Sequence, residues 1–197
     1  MRVCITADPH RKRNTMYDII YTDPPWPQTK GNARSCRPNQ GKELDYKTCS
    51  IEECFRLQEA FFSKASERHN VFMWCIDKYL HEVEQQMANL GYTLHARIIW
   101  DKENGIAPAF TVRFSHEYLL WFYQKGKMLM PCKEARGKFT TVIREPSTVH
   151  SKKPEAAYIM LETMFPDANK VELFARNTRP GWQSWGDELP PENKTTI

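Results

Sequence analysis

Short apolar runs alternate along this chain of 197 residues with segments whose apolar residues recur every three or four positions. Runs that are apolar at nearly every position are typical of parallel strands buried on both faces, and the intervening period is that of amphipathic helices. The alternation therefore predicts an α/β fold with a mainly parallel sheet. The predicted strands are residues 17–22, 71–76, 94–100, 117–123, a short one within 139–144, and 170–174.

Three helices are predicted between these strands, each with recognisable ends. Ser50 and Glu53 form a capping box at the start of the first helix. Gly91 ends the second helix, and Pro154 opens the third, which runs to Phe165. The apolar positions are Ile51, Cys54, Phe55, Phe61, Phe62 and Ala65 in the first helix and Leu80, Val83, Met87 and Leu90 in the second.

The length of the chain suits a single domain, with a core at about residues 17–189 and a flexible N-terminal arm and C-terminal tail. No apolar run reaches membrane-spanning length, and the N-terminus lacks the apolar segment of a signal peptide. We therefore expect a soluble cytoplasmic protein without membrane association, or a nuclear one in a eukaryote. The six cysteines form no Cys-x-x-Cys pair, which predicts reduced thiols and no metal site.

Positive charge is clustered, although the net charge is only +4. The basic clusters lie in residues 10–13, 30–37, 125–138 and 152–153, all in predicted loops or at termini. Basic loops around a compact core suit a polyanion such as nucleic acid. Solvated surface charge explains them nearly as well.

The sequence Tyr-Thr-Asp-Pro-Pro-Trp at residues 21–26 places an acid directly behind a buried strand. Pro24 and Pro25 fix the backbone and remove two N–H donors. The carboxylate of Asp23 is then held on a rigid turn whose carbonyl groups have no neighbouring amide donors. The same residues are also an ordinary turn signal, with Trp26 in the core.

A second motif, Glu-Leu-Phe-Ala-Arg at residues 172–176, follows the last predicted strand. Ligands of doubly wound sheets bind beyond the carboxyl ends of the strands, so the two motifs share one predicted site. The chain has neither Gly-x-Gly-x-x-Gly nor a P-loop, which disfavours a pyrophosphate cofactor and a dehydrogenase. Glu172 can accept hydrogen bonds from ribose hydroxyls, or it is a surface acid beside Lys170.

Further segments give the chain a family resemblance. They are Tyr46–Ser50 followed by Ile-Glu-Glu, VFMWC at 71–75, IIWDK at 98–102, HEYLLWF at 116–122, HSKKP at 150–154 and RPGWQSWGDE at 179–188. In this order, with Asp-Pro-Pro-Trp first, the chain resembles the β-class amino-methyltransferases related to the mRNA N6-adenosine methyltransferase, including its short prokaryotic and phage-type members. The resemblance covers about residues 17–189. It implies a Rossmann-like methyltransferase fold with helices on both faces of the sheet and a circularly permuted motif order.

The resemblance implies S-adenosylmethionine as methyl donor and the N6 amine of adenine in nucleic acid as acceptor. Asp23 and the Pro24 carbonyl would then accept hydrogen bonds from the amine, on a turn completed by Pro25, and Trp26 would stack on the base. Lys153 would meet a charged group of the cofactor, or it serves only solubility at a helix start. Asp23 is also an implied cofactor contact, and the other implied contacts are Glu172, Leu173, Phe174, Arg176, Asp187 and Glu188 for the cofactor, and Tyr46 and Lys102 for the substrate.

Position 187 qualifies one of these implied roles. Asp187 stands where family members usually carry asparagine, and a carboxylate cannot donate a hydrogen bond as an amide does. Trp182 and Trp185 are expected to be packing residues.

The nucleic acid that is methylated can be DNA or RNA, and we favour DNA. A third hypothesis, a non-catalytic protein that only binds nucleic acid, is less favoured than either. We expect the target to be recognised by the loops at 27–49 and 101–115 and by the basic residues of 125–138. A partner in a homodimer or heterodimer can contribute as well.

Overall fold

The computed structural model describes residues 16–27, 48–105, 112–148 and 152–190. Seven strands form a single sheet in this part of the chain. In chain order they are β1 (Tyr17–Thr22), β2 (Ala65–Cys75), β3 (Tyr92–Asp101), β4 (His116–Gln124), β5 (Val142–Arg144), β6 (Lys170–Leu173) and β7 (Trp182–Trp185). Across the sheet their order is β5-β3-β4-β2-β1-β6-β7.

The sheet is mainly parallel, as the sequence predicts. Strand β1 is parallel to β2 and β6, β6 is parallel to β7, and β3 is parallel to β5. Strand β4 alone is reversed, since it is antiparallel to both of its neighbours, β2 and β3. Six strands therefore finish, and β4 begins, at the same end of the sheet, which we call the site end.

Helices cover both faces of the sheet. The helices α1 (Ile51–Phe62) and α2 (Leu80–Asn89) pack on one face, and α3 (Glu155–Met164) packs on the other. Short 3-10 turns lie at Asp77–Tyr79 and Lys133–Ala135. This arrangement is the Rossmann-like methyltransferase fold that the resemblance implies. No helix in the described ranges is long and apolar enough to cross a membrane.

The helix ends follow the sequence signals in part. The Ser50 hydroxyl accepts a hydrogen bond from the Glu53 N–H at 3.2 Å, as expected of a helix cap. Gly91 follows α2 with a φ of 82°, which only glycine adopts without strain. At α3 the carboxylate of Glu145 accepts bonds from the first two helical N–H groups, at 2.8 and 2.9 Å, so a distant acid caps the helix behind Pro154.

Several predicted boundaries were wrong. Ala65 opens β2 instead of closing α1, because the first helix ends at Phe62. Leu90 is 45% exposed, because α2 has already ended at Asn89 when the chain reaches it. Phe174 lies outside β6, with a φ of 59° that breaks the extended conformation.

Strand β7 was not predicted, although it lies within the expected core of residues 17–189. It is held by parallel pairing with β6, from Lys170 opposite Trp182 to Leu173 opposite Trp185. Trp182 packs with Tyr21 and Tyr158, and Trp185 packs with Phe61 and Phe174, so the expected packing role of both tryptophans is confirmed.

Candidate active site

Asp23 follows β1 immediately and lies at the site end, next to the end of β6. Its N–H donates to the Leu173 carbonyl at 3.4 Å, which ties the two strand ends together. The turn that follows is closed by its own backbone. The Trp26 N–H donates to the Pro24 carbonyl at 2.8 Å, and the Cys49 N–H donates to the Pro25 carbonyl at 3.0 Å. The expectation that these carbonyls lack amide partners was therefore wrong, although each keeps a second lone pair.

Trp26 is a core residue. It is only 4% exposed, its indole N–H donates to the Trp74 carbonyl at 2.9 Å, and its ring packs near that of Tyr79. A ring buried in this way presents no face on which a base can stack. The structure therefore corrects the stacking role: Trp26 anchors the turn that carries Asp23.

Four charged side chains of alternating sign form a row across the site end. The Lys153 ammonium lies 2.9 Å from Asp23 Oδ1 and 2.9 Å from Glu117 Oε2. The other Glu117 oxygen lies 2.5 Å from the Lys102 ammonium. We call Asp23, Lys153, Glu117 and Lys102 the ion-pair row. Its members are poorly exposed, between 11% and 26% of each side chain, so solvent screens their charges weakly.

The pKa values of Asp23, Glu117 and Lys153 are shifted in directions that the geometry of the row and its burial explain. Burial raises the pKa of Asp23 in spite of the attraction of Lys153, and repulsion from Glu117 adds to the rise. Burial also acts against ionised Glu117, but the ammonium groups of Lys153 and Lys102 outweigh it and lower the pKa. Burial alone would lower the pKa of Lys153, but Asp23 and Glu117 raise it above its usual range. Lys153 is therefore charged at neutral pH.

Sequence reasoning missed Glu117. It reaches the site end only because β4 is antiparallel, so that its first residues lie where the other strands finish. The available signal was an acid at the head of an otherwise apolar strand. A charge in that position needs a partner once the strand is buried, and Lys153 and Lys102 are those partners.

Glu172 lies in β6, opposite Tyr21 of β1 and Ser184 of β7. The Tyr158 hydroxyl on α3 donates to its carboxylate at 2.8 Å. Burial, with repulsion from Asp23, raises the pKa of Glu172 to about 7, although the bond from Tyr158 works in the opposite direction. Glu172 is therefore a partly buried, hydrogen-bonded acid rather than a surface acid beside Lys170.

The segments that follow β6 and β7 cross closely at the site end, because the two strands are parallel. The Ala175 N–H donates to the Trp185 carbonyl at 2.9 Å, and a Cβ placed on Gly186 would lie 2.1 Å from the Ala175 oxygen. Only glycine fits at that crossing. Arg176 then lies 3.4 Å from Glu188, so the segment after β6 and the segment after β7 are held together, with the exposed Asp187 beside them. Among the predicted cofactor contacts, Leu173 is buried within β6.

Arg179 is a second residue that sequence reasoning did not single out. Its guanidinium binds Glu155 and Glu162 of α3 at 2.6–3.1 Å, and the Trp182 indole also donates to Glu162. Forked contacts of this kind fix orientation as well as distance. Arg179 therefore clamps the β6–β7 connection onto α3.

The remaining predicted residues are not all brought to the site. Lys102 lies at the site end, where it forms an ion pair with Glu117. Tyr46 is outside the described residues, as are most of the loop at 27–49 and the centre of the loop at 101–115. Lys125 and Lys127 lie at the opposite end of the sheet, where the His69 N–H donates to the Lys127 carbonyl at 3.1 Å. The expectation that the 125–138 cluster flanks the target is therefore wrong for these two lysines, because β4 runs away from the site. The described residues contain no cluster of three or more potential metal-ligating side chains.

Comparison with known proteins gives one family match. A family model described as MT-A70 matches residues 17–188. The chain is 28% identical to the type II methyltransferase M.MunI of a Mycoplasma species, over 92% of this chain and 81% of that protein. It is 46% identical to the human N(6)-adenine-specific methyltransferase METTL4, over 88% of this chain and 37% of that protein.

An MT-A70-like N(6)-adenosine-methyltransferase of Medicago truncatula is 30% identical, over 88% of this chain and 26% of that protein. The chain thus spans most of the length of M.MunI but only about a quarter to two fifths of the two eukaryotic relatives.

Proposed function

Because the chain belongs to the MT-A70 family, we propose that it is an S-adenosylmethionine-dependent methyltransferase acting on the N6 amine of adenine in nucleic acid. The names of METTL4 and of the Medicago protein support this activity. The observation that carries it is Asp23, which is held at the site end by Lys153, directly beside the end of β6. An enzyme with this substrate works where nucleic acid is, in the cytoplasm or in the nucleus of a eukaryotic cell.

The side chains around Asp23 suit S-adenosylmethionine in their chemistry. An ammonium has three donors, and Lys153 uses two of them on carboxylates of the described residues, so a third can meet the carboxylate of the cofactor. Glu172 and Glu188 offer acceptors for its ribose hydroxyls and ammonium. The Ser184 hydroxyl is buried opposite Glu172 and has no hydrogen-bond partner within the described chain, so it can serve a bound polar group.

Asp23 is suited to hold the target amine. When bound, S-adenosylmethionine supplies an electrophilic methyl group, but the adenine amine is a poor nucleophile because its lone pair is delocalised into the ring. Lys153 occupies one Asp23 oxygen, and the second makes no hydrogen bond within the described residues. That oxygen and the free lone pair of the Pro24 carbonyl can accept the two N–H groups and draw the nitrogen toward a tetrahedral geometry. Preorganised groups of this kind contribute about 10²–10³ in rate each.

We favour DNA as the polymer and keep RNA as the alternative. The preference rests on the resemblance of this short chain to prokaryotic and phage-type members. The 46% identical relative is named for adenine, a base that both polymers contain, whereas the 30% identical relative is named for adenosine, the ribonucleoside. In a duplex the base has to be extruded, which costs a few kcal/mol, and single-stranded substrate avoids most of that cost.

Mass spectrometry of nucleosides tests the activity and the polymer together. The protein is incubated with S-adenosylmethionine and with separate DNA and RNA pools, which are then digested. We expect N6-methyldeoxyadenosine in the DNA arm. N6-methyladenosine in the RNA arm alone would establish the alternative polymer. Binding of nucleic acid without any methylated product would indicate a non-catalytic partner and contradict the proposal.

A further inference from the structure

The chain extends beyond the sheet at the site end in a two-segment arm, residues 102–105 after β3 and 112–115 before β4. The Lys102 N–H donates to the Ser115 carbonyl at 2.9 Å, which continues the pairing of the two strands. The Arg113 guanidinium donates to the carbonyls of Asn104 and Gly105 at 2.6 and 3.1 Å. These bonds hold the two segments together, so the side chains they carry are presented in fixed positions.

The arm presents apolar side chains to solvent. Phe114 is 65% exposed and Val112 is 71% exposed, the two highest values among the large apolar residues that the structure describes. Large aromatic rings are normally buried, because their apolar area is costly to hydrate. An aromatic ring held in water beside a predicted nucleic-acid site is therefore a candidate contact for that ligand.

Phe114 lies within reach of the bases that flank the target. It lies three positions before Glu117, which is about 10 Å along the backbone of an extended segment. Glu117 contacts Lys153, which contacts Asp23, each at 2.9 Å. Lys102, in the facing segment of the arm, adds a cation on the same side of the site. A base placed at Asp23 therefore has its neighbours in the polymer close to this ring.

We propose that Phe114 is a stacking platform for an unpaired base next to the target adenine. The proposal rests on the function proposed above, and it makes single-stranded or locally opened nucleic acid the form that the protein binds. Aromatic rings stack on every base, because every base has a π-face, so the contact holds the strand without reading its sequence. It also supplies a stacking ring at a site where Trp26 cannot provide one.

The test is a binding titration with a short single-stranded oligonucleotide that carries 2-aminopurine beside the target adenine. Its fluorescence falls when the base stacks on a ring. Phe114→Ala is expected to raise Kd about 5- to 140-fold, the equivalent of about 1–3 kcal/mol at 1.4 kcal/mol per tenfold, and to abolish the quenching. Phe114→Trp is expected to restore both.

Two controls separate stacking from other effects. Leu90→Ala removes another exposed apolar side chain, far from the site end, and should leave Kd unchanged. The slope of log affinity against log salt should not differ between wild type and Phe114→Ala, because no phosphate contact is lost. Thermal unfolding of both variants checks that they are folded.

Each outcome decides between the proposals. An unchanged Kd for Phe114→Ala, in a protein whose wild type methylates the oligonucleotide, would overturn the stacking role and leave the proposed function intact. An unchanged Kd together with the loss of a wild-type dimer in sedimentation would make the ring a protein contact, which also overturns it. If the wild type neither binds nor methylates any nucleic acid, the proposed function fails and the stacking role fails with it.

Discussion

Replacing Glu117 by glutamine keeps the shape of the side chain and removes its charge from the middle of the ion-pair row. The row would then hold two ammonium groups, on Lys153 and Lys102, and a single carboxylate, that of Asp23, which contacts Lys153 only. Because Lys153 and Lys102 are only 11% and 21% exposed, water compensates poorly for the lost partner. We expect both stability and methyl transfer to fall, since Lys153 is what holds Asp23 in place.

The size of the effect follows from the burial of the row. Removing one partner of a buried ion pair costs about 3–5 kcal/mol. The amide oxygen of glutamine still accepts one hydrogen bond to a charged donor, so we expect a net loss of about 2–3 kcal/mol. For a domain of this size, the melting temperature should drop by about 4–12 °C.

The pH dependence gives the prediction a second check. The pKa of Glu117 is lowered in the folded state, so its stabilising contribution is present above the ordinary glutamate value of about 4.3 and is lost as the pH falls through the folded value. The difference between wild type and Glu117→Gln in thermal unfolding should therefore be full at pH 7 and shrink below about pH 4.

Glu84→Gln is the matched control. Glu84 also forms a two-bond pair, with Arg97, but Arg97 is 49% exposed, and such surface pairs contribute about 0–1 kcal/mol. A loss of stability for Glu117→Gln no larger than for Glu84→Gln would refute the reasoning. So would a difference that persists unchanged at pH 3.5.

Three further substitutions test the other parts of the site. Asp23→Asn should lower turnover by at least about 10²-fold in a folded protein, while calorimetry finds S-adenosylmethionine binding largely kept; near-normal turnover would remove Asp23 from its role. Glu172 has a raised pKa of about 7, so its charge costs stability as the pH rises above the unfolded value of about 4.3. Glu172→Gln should therefore raise the melting temperature at pH 8 but hardly at pH 4.5, and weaken cofactor binding; equal effects at both pH values would contradict this. Gly186→Ala should lower both stability and cofactor affinity, because its Cβ would lie 2.1 Å from the Ala175 oxygen, and an unchanged melting temperature would mean that the crossing relaxes freely.

Most of the parallel sheet could be predicted from apolar runs, but the direction of β4 could not. Its sequence is apolar on both faces, and Leu119 and Leu120 are both fully buried, since helices cover the two faces of the sheet. A run without alternation is typical of a parallel strand, so the sequence did not indicate the reversal. The position of Glu117 depends on that direction, which is why the centre of the ion-pair row was missed.

Strand β7 and the role of Trp26 could not be predicted from the sequence either, because both depend on distant residues. Trp182–Trp185 becomes a strand through its pairing with β6, which no local pattern announces in a polar, proline-rich segment. For Trp26, the sequence allows both a stacking ring and a core ring, and only the position of Trp74 decides for the core. In contrast, Asp23 was predicted from the sequence at the end of its strand, because two prolines fix the backbone independently of the rest of the fold.

The length of the reversed strand β4 sets the distance between the two ends of the sheet. The nine residues of β4 span about 30 Å between the ion-pair row and the lysines at the far end of the sheet. Stacked nucleic acid rises about 3.4 Å per nucleotide, so the same distance corresponds to about nine nucleotide steps. An oligonucleotide of five nucleotides with its target at Asp23 is too short to meet Lys125 and Lys127, whereas a twelve-mer with its target at one end is long enough. The length at which affinity stops rising therefore measures the footprint, and it separates a ligand confined to the site end from one that also reaches the lysines at the far end of the sheet.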